Sequence, residues 1–396
     1  MTDKNKHIPQ GYKDSPLGII PKEWEVKRLG EFAPLQRGFD LPTDKIVRGE
    51  YPVIYSNGIL NYHYEYKAKG PGVVTGRSGT IGKVTFVESN YWPHNTSLWV
   101  TDFKGNNPKY VFHLYSYINL SKFASGSGVP TLNRNDVHAS KFAIPPIHEQ
   151  DKIVEVLDFW DTAIEKQSEL IEKLKLRKRA LMQQLHTGKK RLPGFSGEWK
   201  EVKLGDIFDE RNETNRDDLP LLSITGDKGV IYQSESDKRD ISNDDKSKYK
   251  RICPNDIGYN TMRMWQGRSA LSNIEGIVSP AYTIVTPHKN VDVRFMAMLI
   301  QQPRVVYDFW THSQGLVSDT LNCKYPDFCQ VKVRIPSKEE QTAIADLLYE
   351  FDKEINLANE KLANLQSQKR GLMQQLLTGK KRIKELKYYE KRRKQA

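Results

Sequence analysis

Cysteine is scarce: Cys253, Cys323 and Cys329 are the only three in 396 residues, with no CxxC spacing among them. An odd, scattered set excludes a disulfide framework and a cysteine zinc site, which leaves buried free thiols. Long apolar runs are missing too, since nothing approaches the roughly 20 residues of a membrane-spanning helix. The opening MTDKNKHIPQ is polar, without the apolar stretch of a secretory signal. A soluble, cytoplasmic protein with no membrane partner is expected. Hydrophobic residues make up only 38% of the chain, yet its length exceeds one ordinary core, so two or more domains are expected.

Catalytic motifs are also lacking. RSGTIGKV places Arg77 where a phosphate loop needs its first glycine and Val84 where it needs a hydroxyl. IPPI at 144–147 has neither the polar start nor the aromatic end of the motif that grips a flipped adenine in methyltransferases. PDFCQVK offers Asp327 without the clustered carboxylates of a metal nuclease. The nine histidines are scattered, with His94 and His312 in polar loops. No catalytic residue and no metal ligand is assigned.

Charge is present and uneven. The formal net charge is +12, of which Lys380 to Ala396, with nine Lys/Arg and two Glu, carries +7. A mildly basic body with a strongly basic tail points toward nucleic acid. The tail adds salt-dependent phosphate attraction or stays a solvated extension.

What is most abundant is repetition. LMQQLHTGKKR, Leu181 to Arg191, returns as LMQQLLTGKKR, Leu372 to Arg382, at an offset of 191. The register holds upstream without a gap: Gln150 matches Gln341, Ile153 matches Ile344, Asp161 matches Asp352 and Ile164 matches Ile355. Seam positions recur at steps of three and four, first at Leu157, Trp160, Ile164, Gln167, Ile171, Leu174, Lys178, Leu181 and Leu185. The second copy continues at Leu348, Phe351, Ile355, Ala358, Leu362, Leu365, Lys369, Leu372 and Leu376. That spacing predicts two coiled-coil helices of about four heptads. Ser337 with Glu340 forms a capping-box pattern, Pro146 precedes the first helix, and Gly188 and Gly379 end the pair. Lys178 and Lys369 at seam positions either set register or lay their stems along the groove with the amine in water.

Looser repeats frame the rest. EWEVKRLGEF (Glu23 to Phe32) resembles EWKEVKLGDIF (Glu198 to Phe208) at an offset of 175, and TLN at Thr131 to Asn133 recurs at Thr320 to Asn322 at 189. Between these anchors the contents diverge. The expected organisation is a variable unit over 1–147, a helix over 148–188, a linker over 189–198, a second variable unit over 199–338, a second helix over 339–379 and a basic tail over 380–396. Forty helical residues make a rod of roughly 60 Å, whereas the ten-residue linker reaches at most ~35 Å. The second unit is therefore expected near the far end of the first helix, with the helices antiparallel and the halves related by a pseudo-two-fold.

Within the variable units, GVVTGRSGTIGKVTFV predicts two strands around a glycine-rich turn, and DIGYNTMRMWQGRSAL a strand entering a loop with Arg and Trp. NPKYVFHLYSYI and DVRFMAMLIQQPRVV predict amphipathic helices. The fold class expected is α+β, two mixed units joined by the long helices.

The doubled phrases IPPIHEQDKIVEVLDFWDTAIEKQ…LMQQLHTGKKR and IPSKEEQTAIADLLYEFDKEINLA…LMQQLLTGKKR, with PKEWEVKRLGEF and GEWKEVKLGDIF opening each unit, resemble the specificity subunits of type I restriction-modification systems. The likeness covers nearly the whole chain. Pro146, His148 and the longer tail after Arg382 are departures. The resemblance implies a non-catalytic subunit in which each variable unit is a target recognition domain reading one half of a split site on double-stranded DNA. It implies that the helices set the spacer and dock two methyltransferase subunits, and that restriction/translocase subunits join them. It further implies that no cofactor binds this chain: S-adenosylmethionine would sit on the methyltransferase, ATP and Mg on the restriction subunit. A protein-only coiled-coil adaptor, an enzyme with hidden catalysis and an orphan subunit of a methyltransferase-only system are the alternatives.

Base reading calls for Arg, Asn or Gln at groove-facing loops, with Ser, Thr and Lys on phosphates. The candidates are Arg77, Ser78, Lys83, Asn95, Ser97, Ser127 and Thr131 in the first unit. In the second they are Asn260, Arg263, Gln266, Arg268, Ser279, Tyr282, Gln314 and Asn322. Trp265 would stack on a sugar or opened base, or pack in its own domain.

Overall fold

The computed structural model describes residues 8–126, 129–226, 228–236, 240, 242–315 and 320–383. Two long helices, Ile147–His186 and Lys338–Leu377, each run 40 residues. The chain divides into two compact units, one of Met1–Glu169 with Asn359–Ala396, the other of Leu170–Ala358. Each helix therefore contributes to both.

In the first unit a four-stranded antiparallel sheet has the order Leu35–Arg37, Ser97–Val100, Gly72–Gly76, Val84–Val87. Glu25–Arg28 pairs antiparallel with Lys141–Ile144, so the strand that opens the variable region lies beside the one that closes it. Both the helix Pro108–Tyr117 and the start of the first long helix pack on this body. The core joins Trp24, Phe32, Tyr110 and Leu114 to Ile153 and Leu157 of one long helix, and to Leu376 and Leu377 of the other.

The second unit repeats the plan with different residues. Its sheet has the order Phe208–Glu210, Tyr282–Pro287, Ile257–Asn260, Ser269–Leu271, and Lys200–Lys203 pairs with Lys332–Ile335. Its core joins Leu204, Phe208, Phe295 and Phe328 to Leu185 of the first long helix and to Ile344 and Leu348 of the second.

Two local expectations need correction. The segment after Ile257–Asn260 returns as a second strand, Ser269–Leu271, paired with the first, so the region is a hairpin rather than a strand entering a loop. DVRFMAMLIQQPRVV forms two helices, Val293–Leu299 and Pro303–His312. Proline has no N–H for the helical ladder and sits instead at the first position of a new helix.

The polar links of the frame occur twice, in equivalent positions. In the first unit the Gln150 side chain accepts from Asn107 N (3.0 Å) and donates to Pro145 O (3.0 Å). In the second, Gln341 accepts from Asp292 N (3.0 Å) and donates to Pro336 O (2.9 Å). Arg382 clasps Glu149 at 2.7 and 3.0 Å, and Arg191 clasps Glu340 at 2.6 Å through two nitrogens. Lys369 pairs with Asp161 in the first unit, and Lys178 pairs with Asp352 at 2.5 Å in the second. These pairings run in opposite chain directions, so the helices lie antiparallel within each unit. They also decide the role of the seam lysines, whose amines bind carboxylates on the facing helix.

The capping box drawn around Ser337 is only half formed. Glu340 N donates to Ser337 Oγ at 3.5 Å, but the Glu340 carboxylate turns to Arg191, because a guanidinium offers it two charge-assisted bonds.

Candidate nucleic-acid interface

The repeated phrase is best understood from its last turn. Gly188 (φ +68°) and Gly379 (φ +70°) end their helices in the left-handed conformation. Leu185 O and Gln184 O accept from Gly188 N and Lys190 N, while Leu376 O and Gln375 O accept from Gly379 N and Lys381 N. This glycine-terminated cap turns the chain sharply. It delivers Arg191 and Arg382 to buried glutamates, Glu340 at 2% and Glu149 at 5% side-chain exposure. Hydrogen bonding to those carboxylates pushes both guanidinium pKa values further up. The phrase is therefore the clasp of each unit. Of the seam residues, Leu157, Leu185, Leu348 and Leu376 are fully buried and Ile171 and Leu174 nearly so, while Ile164, Leu181, Ile355, Leu362, Leu365 and Leu372 are half-buried. The fully buried leucines hold their units together, as seam positions do.

In the first unit, the sheet carries a cleft of about 660 Å³ lined by Gln36, Arg37, Phe39, Asp40, Arg77, Thr131, Asn133, Arg134 and Asn135. The fold brings Arg77, Ser78 and Thr131 together here. Arg77 N and Ser78 N both donate to Thr96 O (2.9 and 3.1 Å), Leu132 N donates to Arg77 O (2.7 Å), and Ser78 bridges Thr131. Asn95 donates to Asp40 on the cleft wall, and Arg37 lies 3.3 Å from the same carboxylate. Three arginines and one aspartate are among the lining residues, so the cleft is positive. Beside it, burial lowers the His94 pKa, and its ring nitrogen bonds Thr96 Oγ1 at 3.0 Å.

Some first-unit candidates fall elsewhere. Lys83 donates to Asn57 O at 2.5 Å and is not among the cleft residues. Ser97 is fully buried and donates to His94 O (2.7 Å) and Ile54 O (3.2 Å). It is a core residue, not a DNA contact: its strand is central, and its hydroxyl ties two chain segments. Ser127 lies outside the described residues, as does the tail from residue 384 onward. Gln36, Arg37, Asp40 and Arg134 were missed because no local pattern marks them; only sheet pairing carries them to Arg77.

In the second unit Arg263, Gln266 and Arg268 are exposed on the turn between Ile257–Asn260 and Ser269–Leu271. Asn260 shapes that turn, its Oδ1 accepting from Met262 N at 3.0 Å and its N donating to Arg268 O at 3.0 Å. Trp265 donates to Met262 O at 3.0 Å within the turn itself. Ser279 Oγ accepts from Ala281 N at 3.4 Å. Tyr282 packs against a small core of Leu222, Ile252, Val278 and Ile284. Gln314 and Asn322 exchange backbone bonds of 2.8 and 3.0 Å, and the Gln314 side chain donates to Asp327 (2.9 Å). Tyr282 starts a strand and packs on a core, and Ser279, Gln314 and Asn322 fasten their own segments, so the exposed arginine and glutamine positions of the hairpin are the groove candidates.

One cluster has metal-ligand chemistry: His113, Asp158 and Asp161 offer ligand atoms within 4.8 Å of one another. Both carboxylates are already paired, Asp158 with Lys109 at 2.7 Å and Asp161 with Lys369. Burial raises the Asp158 pKa, but the Lys109 and His113 hydrogen bonds outweigh it and hold it below the usual carboxylate value. The cluster is an ion-pair network.

A doubled frame with divergent filling and a positive cleft on the sheet coincides with a family match. The type I restriction modification DNA specificity domain matches residues 21–176 and 196–367, most of the chain. The chain belongs to this specificity-subunit family. DNA sequence recognition is the family's role. The MjaVIII specificity subunit of Methanocaldococcus jannaschii is 21% identical over 93% of this chain and 95% of its own length. The EcoprrI specificity subunit of Escherichia coli is 29% identical over 38% of this chain and 40% of its own length. An S subunit from M. genitalium has the same fold, with a TM-score of 0.56 at 14% identity, covering 89% of this chain and 96% of that one. A chain from a type I R-M system, solved for its complex assembly and conformational transition, also scores 0.56, at 15% identity. No helix among the described residues is long and apolar enough to cross a membrane.

Proposed function

We propose that each unit reads one half of an asymmetric, bipartite site on double-stranded DNA. The observation that carries this reading is the duplicated frame. Sheet order, the Gln150 and Gln341 links and the Arg–Glu clasps are the same in both units, whereas the residues they display are not. Identical frames suit identical partners, and different displays suit different base sequences. Two methyltransferase subunits would dock on the frames, and the long helices, paired as an antiparallel coiled coil, would set the unread spacer. Restriction/translocase subunits would join that core in the cytoplasm. This chain would do no chemistry of its own, leaving S-adenosylmethionine to the methyltransferase and ATP with Mg to the restriction subunit.

The test is a methylome comparison of cells carrying the active methyltransferase with and without this chain. The expected result is methyladenine at two short motifs separated by a fixed run of unspecified bases. No change in the methylation pattern would overturn the reading and favour a protein-only adaptor.

A further inference from the structure

Resting on that reading, we propose that the half-site of the first unit contains a guanine read in the major groove by Arg77. Arg77 is one residue past Gly72–Gly76, an inner strand of the four-stranded sheet. Its backbone is fastened on both sides, to Thr96 and to Leu132. Its side chain is half-buried and lines the cleft. Among the described residues no carboxylate, carbonyl or hydroxyl accepts from its guanidinium. The other half-buried arginine among the unit's described residues, Arg382, is held by Glu149 and Glu23. Arg211, Arg251 and Arg294 in the second unit are likewise bound by carboxylates.

A partly desolvated guanidinium without an acceptor is costly unless something outside the chain supplies one. The acceptor must be planar and two-pronged to use the parallel N–H fork fully, and guanine O6 and N7 provide that geometry. A backbone locked on both sides suits a base reader better than a phosphate anchor, because base discrimination depends on a fixed position. The exposed Arg37 and Arg134 on the same cleft are better placed for phosphate.

The experiment uses the full chain assembled with its methyltransferase subunits and duplexes bearing its mapped motif. Each guanine of the motif is replaced in turn by 7-deazaguanine, which lacks the N7 acceptor, and by inosine, which keeps both O6 and N7. At one guanine, 7-deazaguanine should weaken wild-type binding by about ten- to a hundredfold while inosine leaves it unchanged. Arg77→Ala should lose a similar factor on the unmodified duplex and no longer sense the deaza replacement, since the two changes remove one shared interaction. Arg77→Lys keeps the charge but loses the fork, and should bind like Arg77→Ala at that position. All variants should melt as wild type does.

Equal deaza sensitivity of wild type and Arg77→Ala at every guanine would overturn the assignment. So would a uniform loss across all duplexes, the mark of a phosphate contact. A wild-type chain that directs no defined motif would instead remove the recognition reading itself.

Discussion

At the scale of single residues, burial separates the polar side chains that hold the fold from those left open to a partner. Ser97 shows the difference: its hydroxyl spans two carbonyls inside the sheet. Ser97→Ala should destabilise the chain by about 1–2 kcal/mol, measured by urea unfolding, with base preference unchanged. His186 makes a second case. It is 4% exposed, stacks on Phe295 at 4.7 Å, and burial lowers its pKa below the ordinary 6.5. The unfolded chain therefore takes up this proton at a higher pH than the folded one. Stability from this residue is full above about pH 6.5 and falls as pH drops through the interval below it. Its counterpart in the other copy is Leu377, so His186→Leu should lessen the fall in Tm between pH 7.5 and 5.5. An unaltered pH dependence would place the sensitive group elsewhere, with His113, also buried and lowered, the next to test.

At the scale of elements, each compact unit fastens its own stretches of the long helices through two charge pairs. Arg382→Ala leaves Glu149 buried without its cation and should cost on the order of 3 kcal/mol, read as a lower unfolding midpoint; Arg191→Ala should act in the same direction. For the seam, Asp161→Lys and Lys369→Asp should each destabilise, and the double exchange should recover part of the loss. Docking is tested on the exposed helix surface rather than at the buried leucines. Leu176 and Leu357, 65% and 66% exposed, are the sites to change. Replacing each with Asp should weaken co-assembly with the methyltransferase in analytical ultracentrifugation while leaving Tm unchanged.

At the scale of the whole molecule, if each unit reads one half-site, the displayed residues should be exchangeable without disturbing the frame that holds them. Exchanging the segment between Ala33 and Ala139 for that of another family member, with both clasps kept, should change one half of the methylated motif and preserve the other half and the spacing. Simultaneous change of both halves would contradict one unit per half-site.

The long helices, their glycine ends and the doubled plan were legible in the sequence, because helical periodicity, glycine termination and repetition are local signals spelled along the chain. The strands around Arg77 were legible for the same reason, through the glycine-rich turn between them. Only the tertiary structure decided that the seam lysines meet Asp352 and Asp161, that Glu340 serves Arg191 rather than its own cap, and that Ser97 is core. It also decided that Arg37, Arg77 and Arg134 share one cleft. Each of these depends on side chains meeting across sheets or between helices far apart in the chain, and such pairings leave no period, spacing or composition to read.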